Sequence, residues 1–110
     1  MNCEVTIDGS NIRDWDSFHN EFQEKMGFFD GYGRNLDAWL DCMTDIFTRG
    51  QYESLCKFNL NQDDSFTMKI INGEKWMSQS KETLLAFMDC YEPLRESKDG
   101  HYGLSISRGI

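Results

Sequence analysis

The stretch from Gly31 to Thr48, GYGRNLDAWLDCMTDIFT, decides how the rest of the chain is read. Asn35 is a good helix N-cap, because its short side chain can accept a hydrogen bond from an otherwise unpaired amide of the first turn. From there to about Thr48 the apolar residues recur at helical spacing. At 100° per residue Trp39, Met43, Ile46 and Phe47 share one face, expected to meet a core, with Leu40 near its boundary. Asp37, Asp41 and Asp45 run along the other side as a stripe, with Thr44 and Thr48 between and beyond them. Asp37 gains from the positive end of the helix dipole; Asp41 and Asp45 gain much less. Like charges four residues apart in a helix cost roughly 0.2–0.5 kcal/mol per pair. A solvated face can absorb that cost. A cationic partner would turn it into attraction, above all if arginines met the carboxylates away from water.

Working outward, the loop before this helix holds Phe28, Phe29, Asp30, Gly31, Tyr32 and Gly33. Aromatic anchors bordered by carboxylates suit a hot spot against a basic cleft, although Phe28 or Phe29 can equally be core residues. Tyr32 is the better surface candidate. Upstream, Cys3, Val5 and Ile7 alternate as a short strand that Asp8-Gly9 turns. Asp14 can cap a helix in which Trp15, Phe18, Phe22 and Met26 fall on one face and Gly27 marks the stop. Downstream, residues 49–64 read as a polar, irregular excursion. Phe66, Met68 and Ile70 form a second strand, ended by Asn72-Gly73. A helix from about Lys75 has Leu84, Leu85, Phe87, Met88 and Tyr91 as its clearest apolar positions, and Pro93, which lacks the amide donor, is expected to kink it or start a new turn. Leu104 and Ile106 alternate in a last strand. The order strand, helix, helix, strand, helix, strand points to an α/β fold with a small parallel sheet and helical crossovers.

Composition bounds the function. With 110 residues the chain should form a single domain, 1–110, and 39% apolar and 14% aromatic content supply its core. Eleven Lys and Arg against nineteen Asp and Glu leave a net charge of −8. That surface repels phosphate backbones, so direct nucleic-acid binding is not expected, whereas encounters with a cationic protein are accelerated. Solubility alone can also account for an acidic surface. Cys3, Cys42, Cys56 and Cys90 are widely spread without a CxxC pair, which argues for free thiols in a reducing cytosol rather than a disulfide framework or zinc site. Neither a signal peptide nor a membrane span is evident near the N-terminus, so a cytoplasmic location is expected, with no cofactor, no metal and no membrane partner. An enzymatic reading would use Asp37, Asp41 and Asp45, or Asp63 and Asp64, to hold Mg²⁺ for hydrolysis. A helical stripe spaces carboxylates along its axis instead of converging them, and His19 and His101, the only imidazoles, lack a recognisable nucleophile beside them. No catalysis is expected.

The run Gly31-Tyr32-Gly33-Arg34-Asn35-Leu36-Asp37-Ala38-Trp39-Leu40-Asp41-Cys42-Met43 resembles the barstar family's YGxNLDAxxDCL stretch, with Met43 at its last position. Ile7-Asp8-Gly9, Ile12 and the helix from Phe18-His19 to Phe22 resemble that family's first strand and helix, so the similarity spans roughly residues 3–47. It implies a barstar-like fold, a three-stranded parallel sheet flanked by helices. It also implies a 1:1 complex in which the second helix and the loop before it enter the active site of a basic ribonuclease, either a housekeeping enzyme or a contact-delivered toxin for which the chain is the immunity protein. On that similarity Asp41 is the principal phosphate mimic and Asp37 its companion. Gly31 or Tyr32 matches the family's loop tyrosines, and Asn35, Leu40, Thr44 and Asp45 complete the contact face. Glu96 and Asp99 match acidic positions near the end of the last helix. The chain departs from the pattern where an interfacial tryptophan is replaced by Leu40, where the tyrosine pair is reduced to Gly31-Tyr32, and in a longer segment over 48–64. An acidic module for another basic protein shares the same electrostatics.

Overall fold

The computed structural model describes residues 2–46, 56–58, 60, 64–97 and 102–106. Strand β1 (Asn2–Asp8) leads through a 3₁₀ turn (Gly9–Asn11) to helices α1 (Trp15–Met26) and α2 (Leu36–Thr44). Strand β2 (Ser65–Ile71), helix α3 (Gly73–Ser97) and strand β3 (Tyr102–Ile106) follow. The strands form one parallel sheet in the order β1-β2-β3, with Val5 beside Met68 and Met68 beside Leu104. The α/β expectation holds, including its element order.

The period-two pattern of the strands decides how the sheet is covered. Val5, Ile7, Phe66, Met68 and Ile70 are buried on one face, while Glu4, Thr6, Lys69 and Ser105 are exposed on the other. Parallel sheets are usually covered on both faces. Strands that follow in chain order, joined by crossovers of one hand, instead carry all their helices on a single face. Polar residues at alternate positions suit the sheet to that arrangement.

Against the apolar face the three helices contribute a cluster of rings. Phe18 and Phe22 from α1, Trp39 from α2, and Trp76, Phe87 and Tyr91 from α3 are all essentially solvent-free. Phe22 meets Trp39 edge-on at 5.5 Å, and Trp39 meets Phe87 edge-on at 5.9 Å. Burying a side chain of this size contributes about 1.5–3 kcal/mol. Trp39 Nε1–H and Tyr91 O–H are buried without a hydrogen-bond partner among the described residues, at a polar cost of about 1–3 kcal/mol for each.

The helix ends follow local chemistry. Asp14 accepts from the Ser17 amide at 2.9 Å and completes a capping box, and Gly27, at φ 66°, closes α1 in the left-handed conformation. Two expectations about α3 need correction. It opens at Gly73, directly after left-handed Asn72 (φ 56°), rather than near Lys75. Its break lies at Ser80 (φ −157°, ψ 70°), not at Pro93, which sits exposed inside the second helical half. Ser80 has the extended backbone of an N-cap residue and so begins a new helical segment. Thr83 Oγ1 lies 3.0 Å from the Ser80 carbonyl and accepts from Trp76 Nε1 at 2.9 Å, tying both halves together.

Of residues 49–64 only 56–58, 60 and 64 are described, and the irregular reading of the others lies outside the described residues. Cys56 and Leu60 are buried in the core, the Lys57 amide donates to the Met26 carbonyl, and the Leu60 amide donates to the Ile46 carbonyl. Alternating Cys56, Phe58 and Leu60 was the available signal, hidden among polar neighbours.

Candidate protein-docking site

Helix α2 is short and strongly two-sided. Asn35 Oδ1 accepts from the Ala38 amide at 2.8 Å, so the cap read from the sequence is in place. Trp39, Cys42, Met43 and Ile46 are buried, and Leu40 lies half-buried at the boundary, as expected. Asp37, Asp41 and Thr44 are exposed. Among the described residues neither the Asp37 nor the Asp41 carboxylate makes an ion pair or hydrogen bond. Asp45 differs. It is the half-buried C-cap residue, placed where the helix dipole disfavours negative charge, so the outward stripe is Asp37–Asp41–Thr44 more than a row of three equal aspartates. Helix α2 ends at Thr44; the expected continuation at Phe47 and Thr48 lies outside the described residues.

Cys42 lies buried on the inner side of α2. Burial, then Cys56, Asp41 and Asp45, push its thiol up to about 11, so it stays protonated and inert. On α3, burial and the charges of Asp89 and Asp37 raise Cys90, placing the Asp37 side of α2 close to that helix. All four cysteines are free. Glu96 is exposed near the end of α3, and Asp99 lies outside the described residues.

The loop between α1 and α2 sets the pose of this surface. Tyr32 is not the surface residue expected: it is only 5% exposed, its ring lies 4.7 Å from that of Phe28, and its hydroxyl is 2.6 Å from His19 Nδ1. Burial raises the Tyr32 pKa, so the phenol keeps its proton and shares a neutral hydrogen bond with the imidazole. His19 is itself only 4% exposed; burial first, and then the Arg34 charge, lower its pKa. Of the two phenylalanines left open by the sequence, Phe28 is buried and Phe29 is 45% exposed.

Arg34 is the residue that sequence reasoning missed. Its backbone is left-handed at φ 55°, a conformation that costs a non-glycine residue about 1 kcal/mol or more. The guanidinium compensates by clasping α1. It donates to Gln23 Oε1 at 3.1 Å, to the Asp16 carbonyl and carboxylate at 3.0 and 2.7 Å, and to Asn20 Oδ1 at 2.9 Å. One exposed ion pair contributes little, but four bonds from one side chain fix the angle at which the chain enters α2. The only available signal was a lone Arg inside an otherwise apolar and acidic run.

Among the described residues no group of three or more His, Cys, Asp or Glu is placed to hold a metal ion; Asp63 lies outside them. No helix among them is long and apolar enough to cross a membrane.

The family model described as Barstar (barnase inhibitor) matches residues 3–97, and the chain belongs to that family. It is also similar to a Bacillus subtilis (strain 168) protein named "Putative ribonuclease inhibitor YrdF", with 42% identity over 41 residues. That match covers 37% of this chain and 45% of the relative, so the chain aligns with less than half of the relative's length.

Proposed function

We propose that this chain is an intracellular inhibitor of a basic ribonuclease or RNase toxin, and that residues 1–110 act as one cytoplasmic inhibitor domain without catalytic activity. The complex is 1:1, with Asp41 seated where the nuclease holds a substrate phosphate and Asp37 beside it. Gly31, Asn35, Leu40, Thr44, Asp45 and Glu96 border that contact, while Tyr32 shapes the loop from within. One observation carries the reading: two exposed carboxylates one helical turn apart, neither paired with a cation among the described residues, on a capped helix. Charges presented at local cost and without internal compensation favour a cationic cleft that supplies the missing partners. Family membership and the printed name of the relative support the same direction.

The test uses the basic ribonuclease encoded beside this chain's gene. Equimolar chain should abolish RNA cleavage, the pair should elute as a 1:1 complex, and association should slow as salt rises, because steering between opposite charges is screened. A nuclease that stays fully active in excess chain rejects the proposal. A second basic protein that binds with the same salt dependence while RNA cleavage continues would support the alternative of a general acidic module.

A further inference from the structure

The loop turns one aromatic outward and gives it a seat. Phe29, Met77 and Leu85 are the exposed large hydrophobic residues among those described. Met77 and Leu85 line an apolar depression of about 530 Å³ on α3, with Ile70 and Met88. Phe29 stands apart from it, in the loop that leads into the acidic helix.

That loop is held from several sides. Phe29's carbonyl accepts from the Tyr32 amide at 3.0 Å, closing a tight turn over Phe29–Tyr32. Tyr32 and Phe28 anchor the turn inward, and Arg34 ties its far end to α1. Gly33 brings the turn against α2, since a Cβ there would sit 3.4 Å from that of Ala38. The outer ring is placed by a specific clearance. A Cβ on Gly31 would come within 2.6 Å of Phe29 Cε2 and 3.2 Å of Cδ2, so the ring lies along the glycine and any larger residue there must displace it. Gly31 does not have a positive φ, so its backbone does not require glycine; the neighbouring ring does.

Building on the inhibitor reading above, we propose that Phe29 is an aromatic anchor of the partner-binding face, receiving an arginine or lysine of the nuclease on its open side, and that Gly31 is small in order to seat it. An aromatic face attracts a cation, and the pairing strengthens as water is excluded. A partner chosen for meeting Asp37 and Asp41 is rich in such cations. Fixing the ring before contact also removes part of the entropy cost of ordering it on binding.

A double-mutant cycle tests this, using the neighbouring ribonuclease in a catalytically inactive form and calorimetry to read affinity. Phe29→Ala should weaken binding about tenfold, Phe29→Leu should weaken it as well, and Phe29→Trp should retain it. Gly31→Ala should weaken binding in the unmodified chain and add no further loss when Phe29 is already alanine. Thermal unfolding of these variants should match the parent, since Phe29 is exposed. Phe29→Ala binding within about twofold of the parent, while Asp41→Ala binds poorly, overturns the anchor and leaves the inhibitor reading standing. Phe29→Leu binding as tightly as the parent overturns the cation contact, and equal Gly31→Ala losses in both backgrounds overturn the seating role. An unmodified chain that does not bind removes both readings.

Discussion

Helices α1 and α2 are both acidic at their starts, yet they treat their carboxylates in opposite ways. On α1, Asp14 caps the helix, Asp16 pairs with Arg34 at 2.7 Å, and Glu21 is buried as a junction. Glu21 accepts from the Asp8 amide and from Lys25, each at 2.8 Å, and from Asn11 Nδ2 at 3.1 Å. On α2, by contrast, Asp37 and Asp41 point outward without a described partner. The same residue types therefore hold the fold together in one helix and stand in solvent in the next. Hydrogen-bonded, desolvated carboxylates contribute to folding stability, whereas solvated ones contribute to encounter and binding.

Substitutions can break this contrast. The largest effect is expected from Asp41→Ala, which should weaken nuclease binding about thirtyfold or more, against roughly threefold or less for half-buried Asp45→Ala at the helix end. Titration calorimetry giving equal losses for the two would dissolve the distinction. Next is Glu21→Ala, which leaves the Asp8 amide and Asn11 without their acceptor and should cost about 2–3 kcal/mol of stability, read from the urea midpoint, with nuclease affinity unchanged. Loss of affinity without loss of stability would place Glu21 on the wrong side of the comparison.

A smaller effect is expected from pH. His19 is held neutral in the folded chain, with its pKa below the ordinary value near 6.5, while the unfolded chain takes up a proton there. Its contribution to stability is therefore complete above about pH 6.5 and is lost as pH falls from there through the lowered folded value. His19→Gln should flatten the stability profile over that interval, and an unchanged slope would locate the acid sensitivity elsewhere. Asp8 acts lower. Burial works to raise its pKa, but hydrogen bonds from Asn72 and Ser10 bring it below 3.8, so its contribution is lost only as pH falls below that value. The smallest effect is on α2 itself: Asp41→Ala should leave folding stability within about 0.5 kcal/mol of the parent, because it removes only a like-charge neighbour.

Much of this was legible in the residues. Capping by Asp14 and Asn35, the stop at Gly27, the alternation in β1 and β2 and the buried face of α2 depend on near neighbours, and each lies where local chemistry puts it. The break in α3 was read at Pro93 because proline lacks a donor. A proline near a helix end can sit on the solvent side, and Ser80 had the stronger reason to start a new segment. Burial of Leu60 was missed because the groups that hold this segment are distant in sequence: the Lys57 amide donates to Met26 and the Leu60 amide to Ile46.

By itself the sequence determined the α/β order and a helix with carboxylates on its outer side, since each follows from a period of 2 or 3.6 residues. Only the tertiary structure decided which ring of the preceding loop faces solvent. A turn has no period, and the choice between Phe28, Phe29 and Tyr32 was made by a histidine thirteen residues before the tyrosine, whose imidazole draws the phenol inward. The arginine clasp on α1 was decided in the same way, by groups that meet only once the helices have packed.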